Sequence, residues 1–288
     1  MLIFPIVTRL AYFMPVGRPV EQQDSRTGGQ ALSDTLAAAD RDDPFELLFA
    51  DLPRQGPGSK AMTLAALAEI KDLPDTAVVL DLGCGTGGQT LVLAQALRQT
   101  VRAVDTSRPF LKRLEAKAKA LKLGHYIDPY HGEMLSPPIA PESADLLWCE
   151  GAAYAVGFET ALKTWWTYLK PGGWLAISEC HWLSNKPPEA ARAFWQASYP
   201  DMTVVEAGRQ TAQRLGFTVD ATLLLPKDAW LQDYYHPLEA RISEIKPTAS
   251  RELRDIIENL EREIHIFRQF GDSYGYAFHI FRRPLDAV

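Results

Sequence analysis

AVVLDLGCGTGGQTL, residues 77–91, runs from an apolar segment through a glycine-dense turn into a helix-like stretch. Val78, Val79 and Leu80 suit a buried parallel strand, and Gly83, Gly85, Gly87 and Gly88 reach backbone angles that a Cβ forbids. A ligand can therefore approach the main chain closely at the turn. From Gln89 to Arg98 the chain reads as a helix whose free N–H groups and positive dipole end face the same crevice. Gly83, Gly85 and Gly88 fit the dinucleotide pattern G-x-G-x-x-G, which keeps an NAD-dependent oxidoreductase open as an alternative. Against it, Asp81 stands just ahead of the first glycine and repels a pyrophosphate. A P-loop fits less well, because Gln89 stands where its lysine must be.

Beyond this turn, strand and helix alternate, the signature of an open parallel sheet covered on both faces. Further strands are predicted over residues 100–104, 126–130, 144–149, 174–178, 217–225 and 274–282, with helices over 61–70, 107–123, 159–169, 187–199 and 204–215. Leu253, Ile256, Ile257, Leu260, Ile264 and Phe267 recur at helical intervals with charges between them, which predicts an amphipathic helix. Lys112, Arg113, Lys117, Lys119 and Lys122 have no aromatics interleaved and read as a solvated helix flank.

A cationic ligand with an ammonium group and a sulfonium centre would welcome the carboxylate of Asp81. In keeping with that, Asp81-Leu82-Gly83-Cys84-Gly85-Thr86-Gly87 resembles motif I of the class I S-adenosylmethionine-dependent methyltransferases, and the resemblance extends over residues 63–283. It implies an α/β fold, an open, doubly wound, seven-stranded, mostly parallel Rossmann-like sheet with the last strand antiparallel and helical additions. It also implies S-adenosylmethionine as cofactor, held by Asp81, Gly83, Gly85, Gly87, Gln89 and Glu150. In the same reading Asp105, with Thr106 beside it, accepts from both ribose hydroxyls, Glu133 accepts from the adenine amino group and Met134 covers the ring. Residues 145–151 and Ser178-Glu179-Cys180 resemble the type 11 group, which includes quinone-biosynthesis-like members and whose acceptors vary widely.

The implied function is methyl transfer to a small apolar or aromatic acceptor by in-line displacement, for which alignment and exclusion of water matter most. His181 is the candidate for a base, with Glu150 to orient or replace it, the alternative being that alignment alone drives the reaction. Tyr154, Trp182, Trp195, Trp230, Tyr234 and Tyr235 fall in segments expected beyond the carboxyl ends of the strands and are read as the acceptor wall. Arg54-Gln55-Gly56-Pro57-Gly58-Ser59 is either a connector with Ser59 as helix cap or a lid over the methionine end of the cofactor. A non-catalytic S-adenosylmethionine-binding protein is the third reading. Cys84, Cys149 and Cys180 all fall at the carboxyl ends of strands, which makes a thiol site for a soft metal or metalloid acceptor one reading and three small apolar core residues the other. No resident metal is expected.

The length of 288 residues suits a methyltransferase domain over 44–288 with a substrate-side insert near 181–270, preceded by a mobile lead-in over 1–43. Hydrophobic residues at 47%, charged residues at 23% and a net charge of −6 describe an ordinary globular chain without the basic footprint of a nucleic-acid binder. The apolar residues 1–20 are broken by Pro5, Arg9 and Pro15, too soon for a membrane span and unlike a signal peptide. Met14 is an alternative start. Three cysteines without C-x-x-C spacing fit a cytoplasmic protein. The partner is a small molecule, and a homodimer is compatible with the sequence.

Overall fold

The computed structural model describes residues 43–285, so the lead-in expected over 1–43, with its weak helix near 31–39, lies outside the described residues except for Asp43. Apolar and β-branched runs form β1 (Val79–Leu82), β2 (Val101–Asp105), β3 (Ile127–His131), β4 (Ala144–Glu150), β5 (Leu169–Trp182), β6 (Thr218–Leu224) and β7 (Tyr274–Arg282). They make one seven-stranded sheet in the order β3-β2-β1-β4-β5-β7-β6. β1 to β5 pair in parallel, and β7 runs antiparallel between β5 and β6. The chain therefore winds outward from β1 to β3 and resumes on the other side at β4. Loops leaving β1 and β4 diverge at that reversal, which opens a crevice at the carboxyl ends of the strands.

The helices are α1 (Pro44–Phe49), α2 (Lys60–Glu69), α3 (Gly88–Leu97), α4 (Arg108–Ala120), α5 (Phe158–Trp166), α6 (Glu189–Ser198), α7 (Val205–Arg214), α8 (Lys227–Trp230), α9 (His236–Ile245) and α10 (Arg251–Phe270). Their starts follow local chemistry: Ser59 Oγ accepts from Met62 N at 3.1 Å, Ser107 Oγ from Phe110 N at 3.2 Å and Ser250 Oγ from Leu253 N at 3.2 Å. One sheet face, with Val79, Ala103 and Trp148, packs on α2, α3 and α4. The other, with Leu80, Leu147 and Ile177, packs on α5 and α7. α1, α6, α8, α9 and α10 build a further aromatic core over Cys180, Tyr274 and Tyr276. It caps the strands beyond the crevice.

Two elements depart from the sequence pattern. β5 is longer than the apolar run over 174–178, because its ladder with β7 continues from the Trp174–Arg282 pair to the Trp182–Tyr274 pair. Cross-strand pairing there sustains strand beyond the hydrophobic signal. Residues 227–245, unassigned from the sequence, form α8, a π-helical turn over Leu231–Tyr235, and α9. Prolines interrupt the helical pattern, but Pro226 caps the start of the run, and Pro237, which has no N–H to donate, follows directly on the π-helical turn.

Gly87 holds α3 against α4. It has φ +83°, and a Cβ there would lie 2.2 Å from Leu114 Cδ1. Gly87→Ala is expected to lower stability by about 1–3 kcal/mol through overpacking in an unfavourable backbone region. The urea midpoint measures this, and an unshifted midpoint would refute the close approach.

Candidate active site

At the crevice floor the β1 loop and the β4 loop touch. Gly83 has φ +73°, and a Cβ on it would stand 2.5 Å from Ala152 Cβ. Asp105, half-buried at the end of β2, accepts from Gly85 N through Oδ2 and from Ser107 N through Oδ1, both at 2.8 Å. Burial raises its pKa. These two bonds leave further lone pairs on each oxygen, and the carboxylate lines the cavity.

Asp81 lies underneath. It is fully buried and accepts from Gln89 Nε2 at 3.2 Å and Thr90 Oγ1 at 2.5 Å, with burial pushing its pKa up to about 7. It pins the first turn of α3, and Gln89 rather than Asp81 lines the crevice.

Residues 54–58 cross above this floor as a strap. Arg54 passes between Gly58 and Gly88, whose added Cβ atoms would approach its side chain to 2.5 and 3.1 Å, and its guanidinium pairs with buried Glu150 at the end of β4. Glu150 also accepts from Thr63 Oγ1 at 2.7 Å and Trp148 Nε1 at 2.9 Å. Gln55 Oε1 accepts from Thr86 N at 2.9 Å, and its Nε2 donates to Phe49 O at 3.0 Å. The strap is thereby tied to the glycine turn, to β4 and to α1.

Under the strap lie two cavities with a common wall of Gln55, Gly56, Pro57, Phe110, Gly151 and Tyr154. One covers the strand ends and is bounded by Gly83, Gly85, Gln89, Asp105, Thr106 and Met134. The other runs beneath the helical cap, between Trp195, Trp230, Tyr234, Glu263 and Tyr276.

Residues 79–173 match the family described as a methyltransferase domain. The structure resembles that of a SAM-dependent methyltransferase from Geobacter sulfurreducens in complex with S-adenosyl-L-homocysteine, with a TM-score of 0.71 and 21% identity over 83% of this chain and 96% of that one. Residues 79–173 thus carry a methyltransferase domain, on a fold shared with S-adenosylmethionine-dependent methyltransferases. Among curated proteins, the chain is 24% identical to a sterol 24-C-methyltransferase of Clavispora lusitaniae over 54% of this chain and 43% of that protein. It is 28% identical to a botryococcene C-methyltransferase of Botryococcus braunii over 38% of this chain and 28% of that protein. It thus spans less than half the length of the curated relatives it matches.

Of the cofactor residues read from the motif, the fold brings Gly83, Gly85, Gln89, Asp105, Thr106, Met134 and Glu150 to the crevice. Three fall elsewhere. Asp81 is sealed below α3, Gly87 faces α4, and Glu133 is exposed on the turn after β3. Of the aromatics, Tyr154, Trp195, Trp230 and Tyr234 line the second cavity. Trp182 packs edge-on to Tyr274, with ring centroids 6.0 Å apart, and Tyr235 is fully buried behind the wall. The cysteines do not meet, since Cys84, Cys149 and Cys180 belong to three different apolar clusters.

His181 is a correction. Alternation along β5 turns Cys180 toward the second cavity and His181 to the opposite face, where its Nδ1 meets Thr203 O at 3.1 Å and its Nε2 meets His279 Nε2 at 3.0 Å. His181 lines neither cavity under the strap and belongs to a separate one with Phe158, Thr203 and Gly208. Residues absent from the sequence reading of the site are Phe110, Glu263 and Tyr276. Glu263 had a visible signal, an acid on the apolar stripe of α10, three residues after Leu260.

Desolvation lowers the pKa of His181 to about 4 and that of His279 to about 3. Between about 4 and the unfolded value near 6.5 the unfolded chain binds protons that the folded pair refuses, so stability rises with pH across that window. The urea midpoint is expected to fall on acidification from pH 6.5 to 4, and less steeply in His181→Gln/His279→Gln. Equal slopes for the two proteins would refute the neutral buried pair.

Proposed function

We propose that this chain transfers a methyl group from S-adenosylmethionine to a small apolar or aromatic acceptor in the cytoplasm, and that the two cavities under the strap hold donor and acceptor. Their common wall carries the reading, because a donor over the strand ends and an acceptor beneath the helical cap would meet across Gly151 and Tyr154. The crevice suits the donor. Its floor is bare backbone where a Cβ at Gly85 would stand 2.6 Å from Gln55 Oε1, and the one lysine or arginine in its lining, Arg54, is already paired with Glu150. That chemistry favours a hydroxylated, cationic ligand over a dinucleotide.

In this proposal the remaining lone pairs of Asp105 accept from the ribose hydroxyls and Met134 packs on the adenine. The turn at Gly83 and Gly85, with Gln89, holds the methionine end beneath the strap. When bound, the donor supplies a methyl group already activated by a sulfonium charge. The chain's own work is then alignment and dryness: Pro57 and Phe110 line both cavities, and the aromatic walls orient the acceptor. The names of the sterol and botryococcene relatives support an apolar acceptor.

The test is twofold. Calorimetry should detect binding of S-adenosylhomocysteine, and a panel of apolar and aromatic metabolites should yield S-adenosylhomocysteine release with at least one. Binding without release from any acceptor would leave only the non-catalytic alternative.

A further inference from the structure

The buried stripe of α10 is interrupted by one acid. Glu263 lies on the face shared with Leu260, Ile264 and Phe267, only 8% exposed, and its hydrogen bond comes from Tyr235 Oη at 2.9 Å. No lysine, arginine or histidine lines the cavity it faces. A leucine or methionine would fill the position without charge, whereas a buried carboxylate that lacks a cationic partner opposes folding. Around it the cavity is lined by Trp195, Trp230, Tyr154, Tyr234 and Tyr276. Trp230 is fixed by stacking on Phe267 with ring centroids 4.5 Å apart. Negative charge beside electron-rich rings is the chemistry that binds a cation wrapped in apolar groups. Burial holds the Glu263 carboxyl up at about 7, so a cation placed beside it would favour the ionised form.

We propose that the capped cavity is a cation-centred acceptor site: it takes a neutral nucleophile whose methylated atom becomes positive inside an apolar body, with the Glu263 carboxylate as its counter-charge. This rests on the assignment of the second cavity to the acceptor and deepens it. Methyl transfer to such a nucleophile breaks the sulfur–methyl bond with its electron pair left on sulfur, and forms the new bond from the acceptor's own pair. The positive charge moves onto the acceptor. A tertiary amine keeps that charge as a quaternary ammonium. A branched alkene holds it on carbon until a neighbouring C–H bond gives its electrons to a new double bond and its proton to the Glu263 carboxylate. Acceptors bearing phosphate or carboxylate meet a like charge and are rejected.

The test uses the full chain with choline and its uncharged all-carbon isostere, dimethylbutanol, titrated by calorimetry in parallel with S-adenosylhomocysteine. Choline is expected to bind at least about tenfold more tightly than the isostere, and Glu263→Gln, which keeps an oxygen for Tyr235, to erase the preference. Equal or weaker binding of choline by the native chain overturns the proposal, as does a preference that survives in Glu263→Gln. If S-adenosylhomocysteine binds while that preference is absent, the cation site fails and the methyl-transfer reading stands; if neither binds, both fail. Turnover of tertiary amines or of branched alkenes then identifies the source of the charge, whereas turnover confined to anionic acceptors overturns the site.

Discussion

Removing the Arg54 side chain is expected to cost about 3–5 kcal/mol of folding stability, the effect of breaking a buried ion pair from one side. The guanidinium is the one cation paired with Glu150 among the described residues, and both side chains are almost wholly out of water. In Arg54→Met the donors Thr63 and Trp148 remain, but neither neutralises the carboxylate. Arg54→Met/Glu150→Gln should recover most of the loss, because the desolvated charge disappears with its partner. Urea unfolding of the three proteins measures this. A loss below about 1 kcal/mol in Arg54→Met would place the pair with ordinary surface contacts and contradict the buried clamp.

Asp105→Ala is expected to remain folded yet bind S-adenosylhomocysteine at least about tenfold more weakly, since each charge-assisted hydrogen bond lost costs about 1.5–3 kcal/mol. Gly85 N and Ser107 N lose their acceptor in this variant, but both border an open crevice where water replaces it. Asp105→Asn separates geometry from charge: it retains one acceptor oxygen and should fall between the two. Unchanged affinity in a folded Asp105→Ala chain, read by calorimetry, would end the ribose assignment.

Local chemistry made much of this legible. The glycine turn, the serine cap of α2, and the strand ends at Asp105 and Glu150 each depend on a few consecutive residues, and each falls where the pattern predicts. What escaped depends on distance or on parity. Nothing in RQGPGS names Glu150, ninety-six residues away, as the partner of Arg54. His181 and Cys180 are neighbours in sequence, and only the phase of β5 decides that the cysteine faces the acceptor cavity and the histidine the opposite side. Trp182 and Tyr235 carry the same aromatic signal as Trp195 and Tyr234, and packing alone separates the wall from what lies behind it.

The antiparallel placement of β7 between β5 and β6 bears on biosynthesis. Residues 274–282 form an interior strand flanked on both sides, so a nascent chain that has already made β1 to β6 has two open edges and no way to join them. Until those residues leave the ribosome, β5 exposes a long apolar ladder of unpaired N–H and C=O groups, the kind of edge that recruits other chains. Premature termination just ahead of Tyr274 would therefore do more than shorten the protein: it would leave a sheet split in two and prone to aggregate, although every residue of the glycine turn and the strap had been synthesised.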